Sequence, residues 1–374
     1  MSKFRPNTVS AVHTPVSTES RSGFVRSWVQ FWFTPVDAIA LHRIRFFFGI
    51  FFLASLLPFA GHQNDLLGLG GWFDQQAYGD IASLPEGSPF PISWSIYYLC
   101  GTSAILVDLV YWLSIVVLAL FTLGILTRLT SVLTWVALAS FTSNPAIAYD
   151  GDYLLTMPAF YLMMGYVLIG QRQANQSLLS RVLGPGLMRT SNTNTSERDS
   201  GPVESVGANL ALRLLQVHFA IVMLASGFHK LQIGEWWGGV AFWYPLYPPF
   251  ETTADMVRRH ATDATSFLTM LSVAGYATLA WQIGFACFAW RPRWRPILIG
   301  GAILAWLGNA FLYWLPLFGP GTFICCLSYL TPEEWQRLNG RVARIPGLGW
   351  LDRRATTSGE EPGVMRSKAE AVAS

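Results

Sequence analysis

Lysine is scarce in this chain, and its placement is uneven. Only Lys3, Lys230 and Lys368 occur, and the first and last lie in polar tails. Lys230 is therefore the one lysine in the apolar body, where every other fixed cation is an arginine. Arginine stays protonated almost anywhere, whereas a buried lysine loses its proton far more readily. A neutral amine is a usable general base. The commoner role for a lysine at the end of an apolar segment, followed here by Trp236 and Trp237, is a snorkelling anchor at a lipid interface.

Other candidates sit in or beside apolar runs. His218 and His229 stand eleven apart, so on a helix they share a face, separated by roughly 16 Å of rise. That is too far to ligate one metal. Two haems or a proton path fit the spacing, and the commoner role of each histidine is a hydrogen bond to a neighbouring helix. Gln216 lies near the same face, so a polar stripe could run along this helix toward Lys230. Asp150 and Asp152 flank Gly151 and suit a cation, a substrate or a partner for Lys230; a solvated turn is the alternative. Asp108 lies several residues inside an apolar run, where an acid is costly and a functional candidate by default. Arg43 and Arg45 enter the first apolar run and are expected to snorkel. There is no His-Glu-x-x-His, no phosphate-binding glycine loop and no Cys-x-x-Cys. Cys100, Cys287, Cys325 and Cys326 resemble neither a disulfide framework nor a zinc site, so no metal is expected.

The elements that must position these groups are apolar. Of 374 residues 52% are hydrophobic and 13% charged, against about a quarter charged in a soluble domain. A helix needs roughly 20 apolar residues to cross hydrocarbon. Candidate spans are 39–60, 101–126, 129–148, 153–170, 209–229, 265–290, 296–314 and 315–331. The last two divide at Leu315-Pro316-Leu317-Phe318-Gly319-Pro320-Gly321, a strong turn signal; a re-entrant hairpin there is the alternative. The expected fold is all-α, a polytopic membrane helix bundle of about eight transmembrane helices with both termini cytoplasmic.

The loops test this topology, because basic residues collect on the cytoplasmic side. With the N-terminus inside, only Lys230, Arg258 and Arg259 fall outside, leaving 22 of 25 basic residues inside. The outer loop 61–100 has acids at 65, 74, 80 and 86 and no lysine or arginine. Its aromatic stretches Gly70–Phe73 and Ser93–Tyr98 suit the membrane interface. Residues 1–27 read as a disordered cytoplasmic tail with no cleavable signal, 28–340 as the transmembrane domain, and 341–374 as a second cytoplasmic tail. Within the domain, 171–208 reads as a flexible cytoplasmic loop. The basic residues follow topology, so no nucleic-acid partner is expected. The expected location is a cell (inner) membrane, crossed several times.

The segment Ala225-Ser226-Gly227-Phe228-His229-Lys230-Leu231, followed by Glu235-Trp236-Trp237-Gly238-Gly239, resembles the lysine signature of the HTTM superfamily. That superfamily comprises the vitamin K-dependent gamma-carboxylases and their bacterial relatives. Pro35-Val36-Asp37, Arg43 and Gly49 resemble the start of its domain, and Asn144-Pro145 with Asp150–Leu155 resembles a bacterial segment. Asn309 and Pro332-Glu333-Glu334-Trp335 resemble its last membrane region. The similarity covers about residues 28–340. It implies a reduced, vitamin K-like quinone as cofactor and Lys230 as the base that deprotonates it, aided by Asp150 or Asp152. It further implies that His218, His229, Trp236, Trp237 and Asn309 line a quinone or substrate site open to the periplasm, with a small quinone or a peptide as partner. The chain departs from the animal enzymes at two places. Tyr149-Asp150-Gly151 stands where they carry Asn-Asn-His, and Trp306 where they carry a histidine. The large lumenal domain of those enzymes has no counterpart, which argues against carboxylation of protein glutamate. A non-catalytic membrane maturation or assembly factor, or a small-molecule transporter, is the competing expectation. Pro158 and the Gly-Pro-Gly at 319–321 suit a broken helix near a transport site.

Overall fold

A computed structural model describes residues 18–83, 94–149, 151–169, 204–246, 253–317, 319–331, 333–335 and 337–338. The expectations for Asp150, for nearly all of loop 171–208 and for most of both tails lie outside these residues. The described chain is almost entirely helical. Its only strands are a two-residue antiparallel pair, β1 (Val36–Asp37) with β2 (Glu204–Ser205).

Helix α1 (Thr18–Phe33) crosses the boundary drawn at residue 27, so part of the expected tail is helical. Helix α2 (Ile39–Leu56) begins where the Asp37 carboxylate accepts the Ile39 N–H. Three short helices follow, α3 (Gln63–Leu67), α4 (Gln75–Ala82) and α5 (Ile96–Leu99). Then come α6 (Ala104–Leu123), α7 (Thr127–Thr142), α8 (Tyr153–Leu168) and α9 (Val206–Leu231). The remainder are α10 (Gly234–Trp237), α11 (Ala254–Asp263), α12 (Thr265–Phe288), α13 (Arg295–Leu312) and α14 (Pro320–Leu327).

Five helical segments are long and apolar enough to cross a membrane: Ile39–Phe59, α6, α9, α12 and α13. Helices α7 and α8 have 16 residues each, about 24 Å of rise, short of the roughly 30 Å hydrocarbon core. The expected eighth span, 315–331, holds only the eight-residue α14, about 12 Å long. Pro316 and Pro320 confine it, because proline lacks the amide hydrogen that would continue a preceding helix. The segment as a whole nonetheless returns the chain from the far end of α13 to the end where Glu334 pairs with Arg295 and Trp335 packs on Arg43.

The apolar residues of α12 and α13 point largely away from protein. Only 17% and 11% of their most apolar windows are buried. A helix apolar on its unpacked side needs an apolar solvent there.

Cross-links between helix ends sort the bundle into two ends. The β1–β2 pair ties the start of α2 to the start of α9. Arg128, at the start of α7, donates to the carbonyl of Val167 near the end of α8 (2.9 Å). Arg43, Arg213 and the Arg295–Glu334 ion pair (2.6 Å) belong to this arginine-rich end. At the opposite end Ser95 donates to the Ser140 carbonyl (2.8 Å), Tyr98 to Ser143 (3.0 Å) and Asn144 to Leu66. Alternating helix direction follows, and it places Lys230 at the end opposite most of the arginines, with Arg258 and Arg259 of α11 on its own side. Gly49 permits a close approach of α2 to α6: a Cβ there would lie 2.2 Å from Thr122 Oγ1.

Candidate functional site

Helix α9 carries Lys230 in its last turn. Positions four apart share a helix face, and Lys230 Nζ donates to Ser226 Oγ across that turn (2.8 Å). The chain then turns through α10, which brings the Trp236 ring to 5.4 Å from Nζ. A cation over an aromatic face is attracted by the ring quadrupole. Trp236 in turn meets Phe242 edge-on (5.6 Å). Two tyrosines latch this canopy: Tyr276 of α12 donates to the Trp237 carbonyl (2.8 Å), and Tyr313 after α13 donates to the Phe242 carbonyl (2.9 Å). Gly239 (φ +71) has left-handed backbone, and a Cβ there would meet the Tyr276 hydroxyl at 3.0 Å. Lys230 is half-buried, and no described carboxylate forms an ion pair with it.

The other expected site residues are dispersed. His229 is exposed. Trp237 is 64% exposed and donates to the Leu231 carbonyl (2.6 Å), so its indole helps to fold the α9–α10 turn. His218 lies midway along α9, where its Nδ1 is 2.8 Å from the Tyr161 hydroxyl of α8. That is the interhelical hydrogen bond weighed above as its commoner role. Gln216 donates to the Ser328 carbonyl (2.6 Å) and accepts from Arg213 (3.1 Å), so it joins the arginine-rich half rather than a stripe toward Lys230. Asn309 donates to Ala305 of its own helix (2.9 Å), and its carbonyl receives the Tyr313 and Leu315 amides, which ends α13.

Asp152 lines a separate cavity of about 180 Å³ at the same end as Lys230. Phe51, Ser55 and Phe59 wall it from α2 and the turn that follows, Phe141 from α7, and Tyr149, Gly151 and Leu317 from the links. Its carboxylate accepts the Tyr149 amide (3.0 Å). Lys230 is not among the lining residues. Asp108, left without a partner by the sequence, accepts from Gln63 (2.7 Å) and Asn64 (2.8 Å) of α3 through one oxygen. The predicted snorkelling of Arg45 fails. Its guanidinium is wholly buried, 5.6 Å from the Tyr166 ring and packed against Gly124. Among the described residues no group of three or more metal-ligating side chains gathers.

Ser226, Phe242, Tyr276 and Tyr313 were not singled out from the sequence. Ser226 was legible as the position one turn before Lys230. The others reach the site through distant contacts that no local pattern announces.

Comparison with protein-family models, with curated proteins and with solved structures finds no significant match to this chain.

Proposed function

We propose that this chain is a multi-pass protein of a bacterial inner membrane, crossing it about eight times with both termini cytoplasmic. In this reading it is a carboxylase-like or quinone-linked enzyme with a periplasm-facing site, and Lys230 is its base. The supporting observation is the setting of Lys230. Its amine is half-buried at the arginine-poor end, held by Ser226, roofed by Trp236 and neutralised by no described carboxylate.

Those residues suit a reduced quinone. Trp236 offers a flat aromatic face for a planar ring, and Ser226 fixes the amine beside it. A bound quinol supplies an acidic ring hydroxyl. Lys230 Nζ, when neutral, accepts that proton, and the Trp236–Phe242 canopy limits access of water. Asp152 occupies its own cavity, so its part in this reading is to hold substrate rather than to pair with Lys230. Lys230→Ala and Lys230→Arg test the assignment. Both are expected to abolish quinol-dependent oxygen consumption in folded protein, because neither side chain accepts a proton near neutral pH. Full activity, or undiminished quinone binding, in both variants rules out the base.

The separation of the Asp152 cavity from Lys230 favours a second reading, a non-catalytic maturation or assembly factor or a small-molecule transporter. The short α14 and Pro158 within α8 suit the transport form. Co-purification of a stable protein partner would support assembly, and uptake into proteoliposomes would support transport.

A further inference from the structure

Helix α1 presents a surface that the bundle does not cover. Phe24 (70% exposed), Val25, Trp28 (55%), Val29 and Phe33 are all exposed. At 100° per residue these positions, with Trp32, occupy one half of the helix, and Gly23, Arg26, Ser27 and Gln30 fall on the other. Trp28 bridges its neighbours along the apolar half, stacked with Phe24 (6.3 Å) and edge-on to Trp32 (5.7 Å).

The C-terminal turn fixes where this surface lies. Asn209 of α9 donates to the carbonyls of Phe31 and Trp32 (3.1 Å each). The Phe31 ring packs on Trp290 (5.6 Å), just after α12, and under the Arg213 guanidinium (4.6 Å). Five residues separate Phe33 from Ile39, where the first membrane-length helix begins. The C-terminal turn of α1 therefore sits at the level where three long helices end. Arginines dominate that end, with Arg26, Arg43, Arg128, Arg213, Arg291, Arg293 and Arg295 against Asp37, Glu204, Glu333 and Glu334.

We propose that α1 is a membrane-surface helix that beds its Phe24–Phe33 face between the headgroups of an anionic phospholipid surface. This rests on the membrane-crossing reading of the bundle. Aromatic and apolar side chains on one half of a helix, with cations beside them, are the pattern that lies in the interface plane. Tryptophan is favoured at that depth. The arginines draw negative headgroups to the same end, and that attraction weakens with salt.

The test uses the full chain in vesicles of phosphatidylcholine with phosphatidylglycerol. Cys287, the exposed cysteine, is replaced by alanine, and nitroxides are placed singly at residues 24 to 30 and at Leu304, an exposed position on α13. Oxygen contact is expected to exceed contact with a water-soluble nickel complex at Phe24, Val25, Trp28 and Val29, and the order to reverse at Ser27 and Gln30. Replacing phosphatidylglycerol by phosphatidylcholine, or Arg26→Glu, is expected to move the Val25 label toward water. Nickel contact dominating at all α1 positions while the Leu304 label stays in oxygen overturns the inference and leaves the bundle reading intact. Nickel contact at Leu304 as well overturns the membrane-crossing reading. A depth indifferent to lipid charge overturns the anionic preference.

Discussion

Asp108 allows a structural role to be separated from a functional one. One carboxylate oxygen accepts from both Gln63 and Asn64, at 2.7 and 2.8 Å, and so holds α3 against α6. Asp108→Asn keeps an oxygen in that place, so both bonds survive as neutral ones of roughly half the strength. Asp108→Ala removes both and leaves two amides to find water. A hydrogen bond to a charged group contributes about 1.5–3 kcal/mol when buried, and the site is only half-buried. The expected loss is about 1 kcal/mol for Asp108→Asn and about 2–4 kcal/mol for Asp108→Ala. Equilibrium unfolding in micelles, followed by circular dichroism, measures the order. A double-mutant cycle with Gln63→Ala should show a coupling of at least about 0.5 kcal/mol. Equal losses for Asn and Ala with no coupling to Gln63 would refute the reasoning. Loss of transport or turnover in a fully stable Asp108→Asn variant would make the carboxylate a proton carrier instead.

Gly49→Ala drives a methyl group to 2.2 Å from Thr122 Oγ1, and such overpacking is expected to cost about 1–3 kcal/mol in the same unfolding assay. Gly23→Ala, with nothing within 4 Å, should leave stability unchanged or slightly raised. Burial, with Tyr78 beside it, pushes the Tyr98 hydroxyl from 10.0 up to about 12. The fold thus favours the neutral phenol, whose contribution is complete below pH 10.0 and is lost as pH rises toward 12. Tyr98→Phe should accordingly flatten the alkaline limb of a plot of Tm against pH.

The helical bundle and the isolation of Lys230 were legible because composition and periodicity are local properties. Three of the five membrane-length helices fall inside segments marked by hydropathy, while α9 (Val206–Leu231) and α13 (Arg295–Leu312) begin before the expected 209–229 and 296–314. Ser226 follows from helix geometry once Lys230 is singled out. The partner of Asp108 was not legible, because α3 lies in a polar loop 44 and 45 residues away and nothing local couples the two. Arg45 was misjudged for a related reason. Its burial comes from Gly124 and Tyr166, which only tertiary packing brings to it. The helicity of α1 was hidden by the polar residues at its start, and its apolar stripe emerges only once the helix extends to Phe33. Short α14 shows that a charge-free run need not be one helix when prolines interrupt it.

The central proposal is a quinol site built on Lys230. Mass spectrometry of lipids and quinones retained by the purified wild-type protein and by Lys230→Ala tests it most directly. The account expects a naphthoquinone-class lipid held by the wild type and lost from a folded Lys230→Ala variant. Wild-type protein that retains a stable protein partner and no quinone would contradict it.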